Sequence, residues 1–375
     1  MIEAYLMHEK ERNAQGIPAL PLNPEQTTSL CELLQSPPAG KEEFLLSLFT
    51  ERVSPGVDPA AEVKAGFLAD ILTGARKSPL IDKKQAVQIL GTMIGGYNVQ
   101  PLISALSDAS LADDAAAALS GLTYVYDAAA QVLELAKSNA AAKKVAESWA
   151  NAEWFTNKPE MPETITVKVF KVEGEINTDD FSPAGDAWSR PDIPLHALAM
   201  GKTRFPGGIE DIARWRQEGH QVAFVGDVVG TGSSRKSACN SVLWYIGDDI
   251  PCVPNKRRGG VIIGGVIAPI FFNTAQDSGA LPLKMDVTNL NMGDVVTINT
   301  AKGEVTNEAG DVVTTFDIKP NTVPDEYRAG GRIPLIIGRS LTAEARHALG
   351  MGEADIFAQP ENPTPQPGQG SPAWP

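Results

Sequence analysis

The chain has 375 residues, of which 43% are hydrophobic and 21% charged, with a formal charge of −14. Such a length holds two domains, such a composition suits a soluble globular protein, and the acidity argues against a general nucleic-acid or acidic-membrane binder, which needs clustered positive charge. No apolar run reaches the roughly 18 residues that span a bilayer, and the polar start Met1–Tyr5 carries no signal-peptide core, so a cytoplasmic location is expected.

Residues 1–157 read as helix after helix. Asn23-Pro24-Glu25-Gln26 combines an N-cap, a first-turn proline and a capping-box glutamine. Asp58-Pro59 opens a second helix and Asp82 with Gln85 a third, and apolar residues follow at helical spacing: Leu30, Leu33 and Leu34; Phe44, Leu45 and Leu48; Ala86, Ile89 and Leu90. The segments Pro101–Asp108 and Ala115–Leu119 read as two antiparallel helices on a short polar turn, a HEAT-like unit, so an α-solenoid-like stack is expected, with an ordinary bundle as the alternative.

At Asn157–Pro162 two prolines stop the helices and make a linker. An α/β domain is expected over 158–358. Ile165–Phe170 alternates as a β-strand. Val222–Val225 reads as a strand and Ser234–Ile246 as a helix, while Val261–Ile263 and Ile333–Ile337 read as buried strands. Asp277–Pro282 reads as a helix end turning into a strand, and the segments at 295–298, 303–305 and 312–316 as a small meander. The run Lys256-Arg257-Arg258 reads as a solvated loop. Residues 359–375, rich in Pro, Gly and Gln, read as a disordered tail in which Trp374 has no explanation.

Three cysteines, Cys31, Cys239 and Cys252, are widely separated and form no Cys-x-x-Cys, and no two of the four histidines stand at metal-ligand spacing. A disulfide framework and a structural zinc site are both disfavoured, and the thiols read as packing residues.

The chemistry concentrates at Val225–Ala238. An apolar strand runs into a glycine-rich turn that ends in Ser233-Ser234-Arg235-Lys236, where a helix begins. Unpaired N–H groups at a helix start, a guanidinium and an ammonium together make an anion site for a carboxylate or phosphate. The stretch fails the P-loop spacing, because Thr231 stands where the second glycine belongs. It fails the dinucleotide fingerprint at Arg235, and no Gly-x-Ser-x-Gly elbow is present. A tight turn with a serine N-cap is the plainer reading. A second polar cluster, Asn177-Thr178-Asp179-Asp180-Phe181-Ser182-Pro183 with Asp186, Trp188, Ser189 and Arg190, reads either as an Asx-rich turn or as a second loop that sets Arg190 beside Arg235 as a carboxylate clamp.

These stretches, together with Ala187–Pro194, Asp248–Pro251, Ala268–Asn273 and Arg328–Arg332, resemble the bacterial aconitase B family in one order over about residues 1–358. The resemblance implies a multidomain α plus α/β fold: a HEAT-like α-solenoid, a mobile α/β swivel domain, and further domains holding a 4Fe-4S cluster. It implies interconversion of citrate and isocitrate through cis-aconitate in the tricarboxylic acid cycle. Carried over by position, Ser233 is the base that takes a proton from a substrate carbon. Ser234, Arg235 and Arg190 bind substrate carboxylates, and Asp179 and Asp180 orient them. The cluster's cysteine ligands are absent from this sequence, so no metal or cofactor is expected in this chain and no hydratase turnover from it alone. The implied partners are the tricarboxylate substrate, the cluster-bearing aconitase domains and a homodimer through the helical domain. RNA is disfavoured by the net charge and no membrane partner is expected. A non-catalytic binding or regulatory module, and a carboxylate sensor built on the swivel loops alone, are the competing functions.

Overall fold

The computed structural model describes residues 1–361 apart from Trp188 and Ser234. The expected tail, and Trp374 with it, therefore lies mostly outside the described residues.

Helices fill the first part of the chain. They are α1 (Ile2–Asn13), α2 (Pro24–Gln35), α3 (Glu42–Glu51), α4 (Pro59–Thr73) and α5 (Lys83–Gly91). There follow α6 (Val99–Ala105), α7 (Ala112–Ser120), α8 (Ala128–Leu135), α9 (Ala140–Ala150) and α10 (Glu153–Thr156). Capping chemistry sets several of their starts. Asn23 and Gln26 exchange hydrogen bonds of 2.8 and 3.0 Å between side chain and backbone, as do Asp82 and Gln85 at 2.7 and 2.9 Å. The Asp58 carboxylate accepts from the Ala60 N–H at 2.8 Å, ahead of Pro59 in the first turn. The apolar faces of these helices, among them Leu30, Leu34, Leu68, Leu90, Leu102, Leu119 and Trp149, form one continuous core.

After the prolines the pattern changes to β1 (Thr164–Asn177), α11 (Thr178–Phe181), α12 (Ala184–Ala187), α13 (Ile193–Ala197), α14 (Gly208–Gln217), β2 (Val222–Thr231) and α15 (Lys236–Ile246). A hairpin of β3 (Asp248–Ile250) and β4 (Val253–Arg258) leads to β5 (Val261–Ile267), α16 (Pro269–Asp277) and β6 (Leu281–Lys284). The meander β7 (Val295–Asn299), β8 (Glu304–Thr306), β9 (Val312–Thr315) and the helices α17 (Val323–Ala329) and α18 (Arg332–Ala348) finish the described chain.

The main sheet has the order β6-β5-β2-β1-β7-β8-β9. Strands β6, β5, β2 and β1 run parallel, whereas β7, β8 and β9 are antiparallel. The parallel strands are apolar on both faces, as crossover connections require. Phe170, Phe224 and Ile262 stand in register on one face, in the cluster that holds the buried side of α15. Val169, Ala223 and Val261 stand in register on the other, packed with Leu283, Val296 and Phe316.

Three local expectations are corrected. Ile333–Ile337 is not a strand but the first half of α18. Short apolar runs do not distinguish the two; here Leu335, Gly338, Leu341 and Ala345 face inward at helical spacing, while Ile333 and Ile336 are exposed. The run Lys256–Arg258 is not a loop but the end of β4, and Arg257 is held there by a 2.8 Å bond from its Nε to Asp249. Strand β2 runs through Gly226 and Gly230 to Thr231, so the connection to α15 is confined to positions 232–235.

Helix α18 lies late in the sequence yet returns to the first core, where Leu341 and Ala345 are buried among the helices. Its polar ties point the same way. Trp154 Nε1 donates to Thr342 Oγ1 at 3.0 Å, the Thr342 hydroxyl donates to the Trp149 carbonyl at 2.9 Å, and Arg346 donates to the Ala150 carbonyl at 3.0 Å.

Candidate functional site

Parallel strands place loops at their C-terminal ends, where ligand sites of open α/β sheets form. Asn177 ends β1 opposite Thr231, which ends β2, so the two polar clusters seen in the sequence emerge side by side. The Asn177 carboxamide accepts from the N–H groups of Asp179 and Asp180 at 2.8 and 3.0 Å, and Asp180 accepts from the Asn177 N–H at 2.9 Å. Both ends of the turn are thereby locked. Asp180 is consumed by that capping box, and its carbonyl also accepts from the Gly201 N–H at 2.8 Å.

Gly230 and Gly232 both take positive φ, +80° and +92°. A Cβ at Gly230 would lie 2.2 Å from the Phe271 ring, and one at Gly232 would lie 3.1 Å from Thr178 Oγ1, so the chain can pass there only as glycine. Ser233 follows, exposed, with its Oγ 3.4 Å from Thr178 Oγ1. Its carbonyl accepts from the Arg235 N–H at 2.7 Å. The cap position of α15 belongs to Arg235, whose side chain makes no capping bond; Ser234, on which the plainer reading of a serine N-cap also rests, lies outside the described residues. Among the described residues no side chain caps the first turn of α15.

Arg235 is drawn across to the β1 loop. Its Nη1 donates to the Ser182 carbonyl at 2.7 Å and pairs with the Asp179 carboxylate. Ser182, almost fully buried, shares a 2.8 Å hydroxyl contact with Ser237 on α15. Arg190 lies further along the same loop, with its Nε 3.4 Å from Asp186 and its Nη1 donating to the Leu195 carbonyl at 3.3 Å. Lys202 also pairs with Asp186, which leaves that three-residue group one positive charge in excess. The sequence-predicted residues therefore divide. Ser233, Arg235 and Asp179 converge on one turn, Asp180 holds that turn from behind, and Arg190 stands in a separate ion group with Asp186 and Lys202. Ser234 lies outside the described residues.

Sequence reasoning missed three residues. Thr178 and Ser237 supply the hydroxyls that meet Ser233 and Ser182, and both stand inside the two polar clusters. His196 is 7% exposed, lies against the backbone of Ser237 and Arg190, and its Nε2 has no hydrogen-bond partner among the described residues. Burial pushes its pKa down, which favours the neutral ring. The only signal for it was one histidine within a short helix.

The loop is pinned from outside by Arg12 of α1, which is 6% exposed. Arg12 reaches Asp192 with both terminal nitrogens, one of them at 3.2 Å, and donates from Nε to the Pro18 carbonyl at 2.9 Å.

The cysteines do not gather. Cys31 lies in α2, Cys239 in α15 and Cys252 in the β3–β4 turn, and burial holds the first two thiols up at about 12, far from the thiolate a metal needs. Among the described residues no group of three or more His, Cys, Asp or Glu side chains is placed to hold a metal ion. The residues present do not fit an iron–sulfur cluster, and no helix described is long and apolar enough to cross a membrane.

The arrangement is that of an α/β protein with a polar candidate site in the loops after two adjacent parallel strands, carried beside a helical half. Comparison with known proteins gives the family. Residues 4–155 match the Aconitate B N-terminal domain and residues 167–371 match the Aconitate hydratase 2 N-terminus. Aconitate hydratase B of Synechocystis is 59% identical over 97% of this chain, that of Escherichia coli 58% over 96%, and that of Pseudomonas aeruginosa 58% over 97%. The chain belongs to the aconitate hydratase B family. It spans 42–43% of the length of those relatives. A solved 3-isopropylmalate dehydratase (leuD) of Methanocaldococcus jannaschii aligns with 49% of this chain and 99% of its own, at 19% identity and a TM-score of 0.36.

Proposed function

We propose that this chain is the helical and swivel portion of an aconitate-hydratase-B-type lyase, and that its serine turn supplies the proton-abstracting base and carboxylate contacts for citrate and isocitrate. The observation that carries the reading is the convergence of exposed Ser233 with Arg235 and Asp179 at the start of α15, at the C-terminal ends of β1 and β2. In this reading the helical part over 1–157 is a HEAT-like stack, the part over 158–358 is the swivel domain, and 359–375 is a disordered tail. Support for the stack comes from the successive packing of α2 on α4, α4 on α5, α5 on α7 and α7 on α9.

Arg235 exchanges Asp179 for a substrate carboxylate, and Arg190 uses the surplus charge of its ion group for a second one. Ser234 adds a further contact. Asp180 orients the turn through its capping box. Ser233 accepts the proton from the substrate carbon; the alkoxide this needs is stabilised by the free N–H groups at the start of α15 and by the adjacent cations. The 4Fe-4S cluster of the complete enzyme sits in domains beyond this chain, and the chain without them turns over no substrate.

The test mixes this chain with a polypeptide comprising the remaining residues of a relative, with iron and reductant present, and follows cis-aconitate absorbance. Activity is expected from the mixture, none from this chain alone and none with Ser233→Ala. Turnover by this chain alone, or an active Ser233→Ala mixture, would overturn the assignment.

A further inference from the structure

A second polar cavity lies at the opposite end of the parallel sheet. Its volume is about 330 Å³, and it opens beside Gly259 and Gly279, which precede β5 and β6 at the strand N-termini. The serine turn follows the C-terminus of β2, which runs parallel to β5, so the two sites do not overlap.

Three glycines at positive φ line this cavity: Gly259 at +80°, Gly279 at +73° and Gly330 at +91°. A Cβ on Gly279 would lie 2.7 Å from the Gly330 carbonyl, and one on Gly330 would lie 3.1 Å from an Arg258 terminal nitrogen. Bare backbone therefore draws the walls together, and the Arg258 guanidinium lies directly against one of them.

The charges are unbalanced. Asp248 and Asp249 line the cavity but are occupied, each at 2.8 Å, by Arg216 and Arg257. Arg328 is paired with Glu160 at 3.3 Å. Lys158 and Arg258 remain, and among the described residues neither has a carboxylate within ion-pair distance. Lys158 donates only to the Ala329 carbonyl at 2.9 Å. Burial, and behind it the Arg258 charge, push the Lys158 ammonium down to about 8. Two neighbouring cations on one cavity wall, with the two aspartates beside them already paired to other arginines, are in the arrangement that a bound anion relieves.

We propose that this cavity is a binding site for a small doubly charged oxyanion, held between Lys158 and Arg258 over the glycine backbone. It is a site distinct from the serine turn and independent of the proposed catalytic role. The segment Lys158-Pro159 joins the helical half to β1, so an anion there bridges the junction to the β4–β5 turn.

The test labels the lysine side chains with carbon-13 at Cε, assigns Lys158 by its loss in Lys158→Arg, and titrates with inorganic phosphate or with malonate at pH 7. A saturable shift of the Lys158 signal is expected. The arm that saturates at lower concentration identifies the site as one for phosphate or for dicarboxylate. In Arg258→Gln, a change at an exposed side chain, the midpoint should rise at least tenfold, whereas Arg190→Gln should leave it unchanged. A Lys158 signal unmoved by either anion, or moving identically in Arg258→Gln, would overturn the proposal. Neither result depends on whether Ser233 acts in catalysis.

Discussion

Lys64 is fully buried in the helical half, an unusual place for an ammonium. Its Nζ donates to the Thr50 carbonyl at 3.4 Å and lies 5.3 Å from the centre of the Phe49 ring. Burial drives its pKa from 10.5 down to about 8, opposed by Cys252, Glu51 and Cys31. Between those values the unfolded chain still holds the proton and the folded one has released it. Stability must then rise with pH across the window from about 8 to 10.5. At about 1.36 kcal/mol per pH unit, the whole rise is about 3 kcal/mol. Lys64→Met removes the titrating group and keeps most of the volume. At pH 7 the variant escapes the charge-burial cost and loses one weak hydrogen bond and one cation–π contact, each about 0.5–1 kcal/mol. A net gain of about 1–2 kcal/mol is expected. Urea midpoints followed by tryptophan fluorescence at pH 7, 8, 9 and 10 check this, since the difference between parent and variant cancels every other group that titrates. The parent's curve should rise to meet the variant's near pH 9 and lie about 1 kcal/mol above it by pH 10. If they stay parallel from pH 7 to 10, the buried ammonium is not what its surroundings indicate and the reasoning fails.

Two further substitutions test how the halves are joined. Arg12→Gln leaves the Asp192 carboxylate, 16% exposed, without its partner; it should lower stability by about 3 kcal/mol in denaturant titration and weaken citrate binding measured by calorimetry, because Asp192 lies two residues from Arg190. Gly338→Ala would place a methyl 2.3 Å from the buried Trp154 ring; the helix propensity gained, about 1 kcal/mol, is outweighed by an overpacking cost of up to about 3 kcal/mol, and a lowered urea midpoint with altered tryptophan fluorescence is expected.

What was legible in the sequence was local chemistry. Asn23 with Gln26 and Asp82 with Gln85 announce helix starts because both partners of each capping box lie within four residues. The meander was readable from alternation and turn residues. Ile333–Ile337 was misread because its five residues fit either period, and only the inward row through Gly338, Leu341 and Ala345 decides for a helix. The glycines of β2 resembled a turn. They extend the strand instead, because Gly226 packs against Ile176 and Val229 where a side chain would collide. Arg12, 180 positions from Asp192, carried no signal at all, since its role exists only once α1 is folded against the site loop.

That contact bears on how a swivel domain can move. The α/β part is tied to the helical half by Arg12 with Asp192 and by Arg52 with Asn255 at 3.0 Å, and α18 is tied to it by Trp154 with Thr342 at 3.0 Å. Asn255 also donates to the Ala19 carbonyl at 2.9 Å. Each tie involves a buried or half-buried polar group, and parting any one strands a donor or acceptor at a cost of about 1–3 kcal/mol, more for the Arg12–Asp192 pair. A rotation of the α/β part against the helices would break the first two, and one that carried α18 along would also break the third and expose the face that buries Leu341 and Ala345. Under the proposed function, these ties favour motion of the serine turn together with the helical half. Through these ties the helical half sets the orientation of the loops that carry Ser233 and Arg235.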